Sequence, residues 1–185
     1  MLIGMSGASG APLTLELLRQ LQPYRKEIEL HLVLTKGAEL TLQQETQLQS
    51  SALMEYVDVM YDNADIGAAP ASGSYKMIGM IVVPCSMKTV AGIVSGYSDN
   101  LLLRAADVML KERRRLLLVA RETPFSTLHL RNLYEASRLG AIILPPMLSY
   151  YNQPETVEDC TRHICGKILD VFDLESEGYV RWGEV

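Results

Sequence analysis

Short apolar runs alternate with helically spaced segments along the whole chain. The runs at 2–5, 28–35, 77–84, 116–120 and 141–144 are continuous rather than alternating, which predicts strands covered on both faces. Between them, 13–21, 38–45, 89–94, 101–113 and 128–139 carry helical spacing, and a last helix is predicted from about 156 to 172. Strands alternating with helices give a parallel sheet wrapped on both sides. The expected fold is therefore a single α/β domain over 1–185, three layers around a doubly wound parallel sheet. Ligands on such sheets sit beyond the carboxyl ends of the strands. Three loops there are chemically loaded: "SGASG" after the first strand, "TKGAE" after the second, and "PCSMKT" after the run at 77–84.

Composition narrows the function classes. Seventeen basic against 22 acidic side chains, a net charge of −5, argue against nucleic-acid or membrane-surface binding, which need a basic face. No apolar run reaches the roughly 18–20 residues of a membrane span. Strand-like sequence from Met1 onward predicts no signal peptide. Cys85, Cys160 and Cys165 are too few and too irregular for a disulfide framework, and no histidine pairs with them at zinc spacing. A cytoplasmic protein without a metal is expected.

The turn "SGASGAP" has the parts of an anion site: glycines, the hydroxyls of Ser6 and Ser9, and Pro12 suited to a first helical turn. Its G-x-x-G-x-x-G spacing is not the dinucleotide fingerprint, and an empty tight turn fits equally well. "VVPCSMKT" repeats the idea: Pro84 ends a strand, Ser86 caps a helix, and Lys88 and Thr89 add donors, with Cys85 assigned to packing. In "DNLLLRAADVMLKERRR", Arg104, Asp107 and Lys111 share one face of an otherwise apolar helix. Arg104 and Asp107 can satisfy each other, which leaves Lys111 in need of an anion. Arg121 and Glu122 follow a strand directly, as either a site pair or a salt bridge, and Glu45 reads as a surface acid at a helix end. His31, His129 and His163 are scattered and are assigned surface or core roles.

Taken in order, "SGASGA", "ASGS", "PCSMKT", "RAADVMLKERR", "RETPFS", "LPP" and "YNQPETVED" closely resemble the UbiX-type flavin prenyltransferases, which include the small partner subunits of hydroxyarylic acid decarboxylases. The resemblance spans about 2–182 and implies a flavodoxin- or Rossmann-like fold. It implies FMN as cofactor, in reduced form as the prenyl acceptor, and a homo-oligomer, typically a dodecamer, with sites at subunit junctions. Dimethylallyl phosphate is the donor, no metal takes part, and the prenylated FMN serves a UbiD-type decarboxylase. On this resemblance the flavin meets Gly7, Ala8, Ser9, Thr35, Ser86, Met87, Lys88, Thr89, Arg104 and Arg121. The donor phosphate meets Ser72, Lys111, Arg121, Tyr151 and Lys167, the last an arginine in many relatives. Ser9, Glu45, Glu122, Lys111 and Tyr151 are the implied catalytic set, and Trp182 closes over the site. Glu45 and Ser9 would handle the proton, and Glu122 would orient the basic cluster.

Three other readings are weaker. An FMN-binding aromatic-acid decarboxylase subunit, acting directly on the acid without prenyl transfer of its own, lacks an evident acid pocket. Flavoproteins that decarboxylate peptidyl cysteines use an early-helix histidine and a "PASANT"-like motif, of which "PASGS" at 70–74 is a partial echo. A non-enzymatic FMN carrier would bind flavin without turnover.

Overall fold

The computed structural model describes residues 1–183, in which six parallel strands form one sheet ordered β3-β2-β1-β4-β5-β6. The strands are β1 (Leu2–Met5), β2 (His31–Leu34), β3 (Val59–Tyr61), β4 (Gly79–Cys85), β5 (Arg115–Ala120) and β6 (Ile142–Ile143). The α-helices are α1 (Ala11–Gln20), α2 (Lys36–Thr46), α3 (Met87–Ser95), α4 (Leu101–Lys111), α5 (Thr127–Arg138) and α6 (Val157–Asp170). Leu2 pairs with His31 on one side and with Met80 on the other, so β1 lies centrally and the chain winds outward from it in both directions. The point where the winding reverses, between β1 and β4, is where such sheets open a crevice.

The two faces of the sheet divide the apolar runs between them. Ile3, Met5, Leu32, Leu34, Ile81, Val83, Leu117 and Val119 pack with α1 and α6. Their neighbours Leu2, Val33, Met80, Val82, Leu116 and Leu118 pack with α4 and part of α3. Successive residues point to opposite faces and both faces are covered, which is why the strands read as unbroken apolar runs.

The doubly wound architecture expected from the sequence is present, with differences at the margins. Strand β3 escaped the pattern because its three residues are only half-buried at the sheet edge. β2 begins at His31 rather than at 28, since Glu27 and Ile28 are still tied by backbone bonds to Tyr24. Pro84 does not end β4 but lies inside it, where the pairing with β5 shifts register between Val82 and Cys85. Cys85 and Cys165 are buried and burial pushes both thiols up, which suits the packing role expected of Cys85. Among the described residues no helix is long and apolar enough to cross a membrane.

Candidate active site

The turn after β1 and the turn after β4 meet at the reversal point and are stitched by Ser6. Its hydroxyl donates to the Pro84 carbonyl (3.0 Å) and accepts from the Ser86 amide (2.7 Å), and its own amide donates to Pro84 as well (3.1 Å). Ser6 is buried, so this hydroxyl is structural; of the two serines in the turn, only Ser9 is exposed.

Glu45, at the end of α2, reaches the start of α1. Its Oε2 accepts from the Gly10 amide at 2.9 Å and the Ala11 amide at 2.8 Å. These are the first-turn donors of α1 that the sequence offered to a phosphate, and a carboxylate from the same chain fills them. Partial burial pushes the Glu45 carboxyl up, but hydrogen bonds from Ser9 and the two amides, with Arg121 nearby, outweigh it and hold it below the ordinary value. Ser9, Glu45 and Arg121 thus converge at the carboxyl edge of the sheet.

Beside them lies an open cleft of about 1700 Å³, lined by Gly7, Thr35, Ser86, Lys88 and Thr89 among others. Helices α2 and α3 both begin on it. Thr35 caps α2 by accepting from the Ala38 amide (3.1 Å), and Ser86 caps α3 by accepting from the Thr89 amide (3.3 Å). Gly7 is fixed by close approach: a Cβ there would sit 2.9 Å from the Gly37 backbone. Met60, Leu103 and Leu128 supply apolar wall, and Asn63 and Asn100 polar edge. Ala8 and Met87, expected at the flavin, are buried, with Met87 packed into the core.

The remaining expected residues fall into two separate groups. Arg104 lies on α4, its Nε donating to the Ala71 carbonyl (3.2 Å) and its Nη1 to Asp107 (2.6 Å). Its side chain is 37% exposed, so it is not buried within this chain. Lys111, the last residue of α4, is paired with Glu112 and lies over Gly73, next to Ser72. The expectation that Lys111 lacks a local anion is therefore corrected: its neighbour in sequence supplies one, because the helix ends there and frees the Glu112 side chain. Lys111 precedes β5 and Arg121 follows it, so they stand at opposite edges of the sheet, roughly 20 Å apart along the strand.

The other group lies across the sheet, in the layer of α6. The Tyr151 hydroxyl donates to the Val180 carbonyl (3.0 Å) and lies 3.3 Å from His163 Nε2, while Trp182 meets its ring edge-on at 5.2 Å. Lys167 donates to Asp170 (2.7 Å); that bond, against partial burial, raises its pKa. Trp182 is 82% exposed. Glu122 turns back to accept from the Thr123 amide (3.0 Å). One chain therefore does not gather Lys111, Arg121, Tyr151 and Lys167 into one cluster. Sequence reasoning also passed over Gly37, which abuts Gly7, and Asn63, which binds the Leu101 and Leu102 amides to start α4; each acts over long sequence distance, with no local signal.

The Flavoprotein family model matches residues 1–169. A probable UbiX-like flavin prenyltransferase of Sedimentibacter hydroxybenzoicus is 50% identical over 182 residues, 98% of this chain and 96% of that protein. Two crystal structures, each 47% identical with a TM-score of 0.94 and covering 98% of this chain, share the fold. One is AnUbiX (PadA1) in complex with FMN and dimethylallyl pyrophosphate, covered over 96% of its length. The other, covered over 97%, is a dodecameric FMN-dependent UbiX-like decarboxylase from Escherichia coli O157:H7. The match covers nearly the whole of each chain. The chain belongs to the Flavoprotein family, among the UbiX-like flavin prenyltransferases.

Proposed function

We propose that this chain transfers a dimethylallyl group from dimethylallyl phosphate to reduced FMN, giving prenylated FMN for a UbiD-type decarboxylase. The observation that carries the reading is the match, at 47% identity and a TM-score of 0.94, to a structure holding both FMN and a dimethylallyl donor. The residues present fit a flavin mononucleotide. The cleft offers a floor of bare backbone where Gly7 meets Gly37, two helix starts for a phosphate or ribityl tail, and apolar wall for a flat ring system.

Gly7, Thr35, Ser86, Lys88 and Thr89 would hold the cofactor, joined by backbone of Ala8 and Met87. Bound and reduced, FMN supplies the nucleophilic N5 and C6 to which the five-carbon unit is joined. Ser9, exposed and hydrogen-bonded to Glu45, would relay a proton through its Oγ to that carboxylate, which is ionised at neutral pH. Arg121 gives that corner its positive charge and serves both cofactor and donor. Lys111, Tyr151 and Lys167, with Ser72, would bind the donor phosphate and stabilise charge building on it as it departs. These groups and Arg104 lie on other faces of the chain, so the complete site takes them from neighbouring copies in a homo-oligomer, which we assign as a dodecamer. Glu122 would orient Arg121 once its turn is engaged. The three cysteines are free thiols, which suits the cytoplasm.

Anaerobic incubation with reduced FMN and dimethylallyl phosphate, followed by mass analysis of the flavin, tests the reading. A flavin heavier by one dimethylallyl unit is expected, and a parallel reaction with the pyrophosphate ranks the donors. An unchanged flavin, or carbon dioxide released from a phenolic acid by the chain alone, overturns it.

A further inference from the structure

His163 is buried in α6, with the Tyr151 ring edge-on at 5.6 Å between centroids and the Tyr179 ring tilted against it at 5.0 Å. Its Nε2 lies 3.3 Å from the Tyr151 oxygen, which also lies 3.0 Å from the Val180 carbonyl. A carbonyl can only accept, so the one hydroxyl proton belongs to the Val180 contact. The phenol oxygen then offers His163 only lone pairs, and Nε2 must carry a proton and donate it. That fixes the tautomer, leaving Nδ1 bare. Nδ1 is indeed buried with no hydrogen-bond partner, a position that a lone pair tolerates and a second N–H would not. Burial also pushes the pKa of His163 down, which keeps the ring neutral.

Resting on the reading that Tyr151 binds the donor phosphate, we propose that His163 is the positioning residue for Tyr151, its Nε2–H holding the phenol oxygen while the hydroxyl proton passes from the Val180 carbonyl to a phosphate oxygen. The exchange needs only rotation about the phenol C–O bond, with no change of covalent partner. Donation into the oxygen also polarises the O–H and makes it the better donor. In the free chain the Val180 carbonyl takes the place of the phosphate, much as Asp170 does for Lys167.

The test compares His163→Gln, whose amide N–H falls where Nε2 stands, with His163→Asn, whose amide falls where Nδ1 stands. Both are made in the wild-type and the Tyr151→Phe backgrounds. KM for dimethylallyl phosphate is measured in the prenyl-transfer assay, and FMN affinity by flavin fluorescence. His163→Asn is expected to raise KM about fivefold with FMN affinity unchanged, and His163→Gln to stay within about twofold of wild type, the scale of one neutral hydrogen bond. Neither is expected to change KM further once Tyr151→Phe has removed the hydroxyl. If Asn and Gln raise KM equally, or either still raises it beside Tyr151→Phe, His163 only packs and the inference fails while the phosphate reading stands. If Tyr151→Phe alone leaves KM unchanged, the phosphate reading of Tyr151 fails and the role of His163 with it. Should the Asn variant not fold, His163→Leu, which fills the buried volume without a donor, replaces it in the same comparison.

Discussion

Glu45 changes character most between sequence and structure. Read locally, it is one more acid at a helix end, and only the family resemblance singled it out. Folded, it holds the Gly10 and Ala11 amides of α1 through a contact spanning 34 to 35 residues, which no local pattern encodes. Glu45→Gln is expected to slow formation of prenylated flavin by roughly 10²-fold in an anaerobic single-turnover assay. It also costs a first-turn anion, worth about 1 kcal/mol after allowance for solvent exposure. Because the folded carboxyl sits below its ordinary value, that stability is fully present above the usual glutamate pKa and is lost as pH falls through the lower, folded value. The gap in melting temperature between wild type and Glu45→Gln should therefore be widest above the ordinary glutamate pKa, and close as pH falls through the lowered value of the folded carboxyl. A gap that does not change with pH would place the carboxylate outside the hydrogen bonds described. Ser6 is the complementary case: the sequence offered its hydroxyl to a ligand, and the fold uses it on Pro84 and Ser86.

Most elements were legible because both faces of the sheet are covered and the strands are unbroken apolar runs. β3 was not, since an edge strand half-buried over three residues lacks that signature. Helix starts were legible where a capping side chain stands in sequence, as Ser86 does for α3. The contact between the turns after β1 and β2 was not legible, because it is made by backbone alone. Gly7→Ala tests that contact: its Cβ would fall 2.9 Å from the Gly37 backbone, so one turn must move. We expect a loss of about 1–3 kcal/mol in stability, read by denaturant unfolding, together with weaker FMN binding. Ser86→Ala removes the cap of α3 and its contact with the Thr89 hydroxyl, without a backbone clash, and should cost about 1 kcal/mol of stability. If Gly7→Ala proves the milder of the two, the turns are not in contact as described.

At the scale of the whole molecule, sequence order hid where the basic residues would go. Arg104 and Lys111 share a helix, as the spacing predicted, but Lys111 ends at the amino edge of the sheet, and Lys167 lies across the sheet from it. Exposed Leu128, Leu130 and Tyr134 on α5, with Met147, Leu148 and Tyr150 in the following loop, form apolar surface that the proposed homo-oligomer would cover. Light scattering should accordingly give a mass that is a multiple of the chain. Lys111→Ala and Glu45→Gln are each expected to abolish most turnover alone. Unfolded together and refolded as mixed oligomers, they should recover about a quarter of wild-type activity, since a quarter of sites then draw both intact residues from different copies. No recovery would mean that both act from the same chain.

The parting of Lys111 from Glu45 also has a genetic reading. If the proposed shared site holds, a folded copy lacking both residues removes its own site and a site on each neighbour it serves. Co-expressed in equal amount with the normal chain, it would leave about a quarter of sites intact rather than half. Such an allele would halve the sites that the normal chain forms, although the protein it encodes does nothing itself.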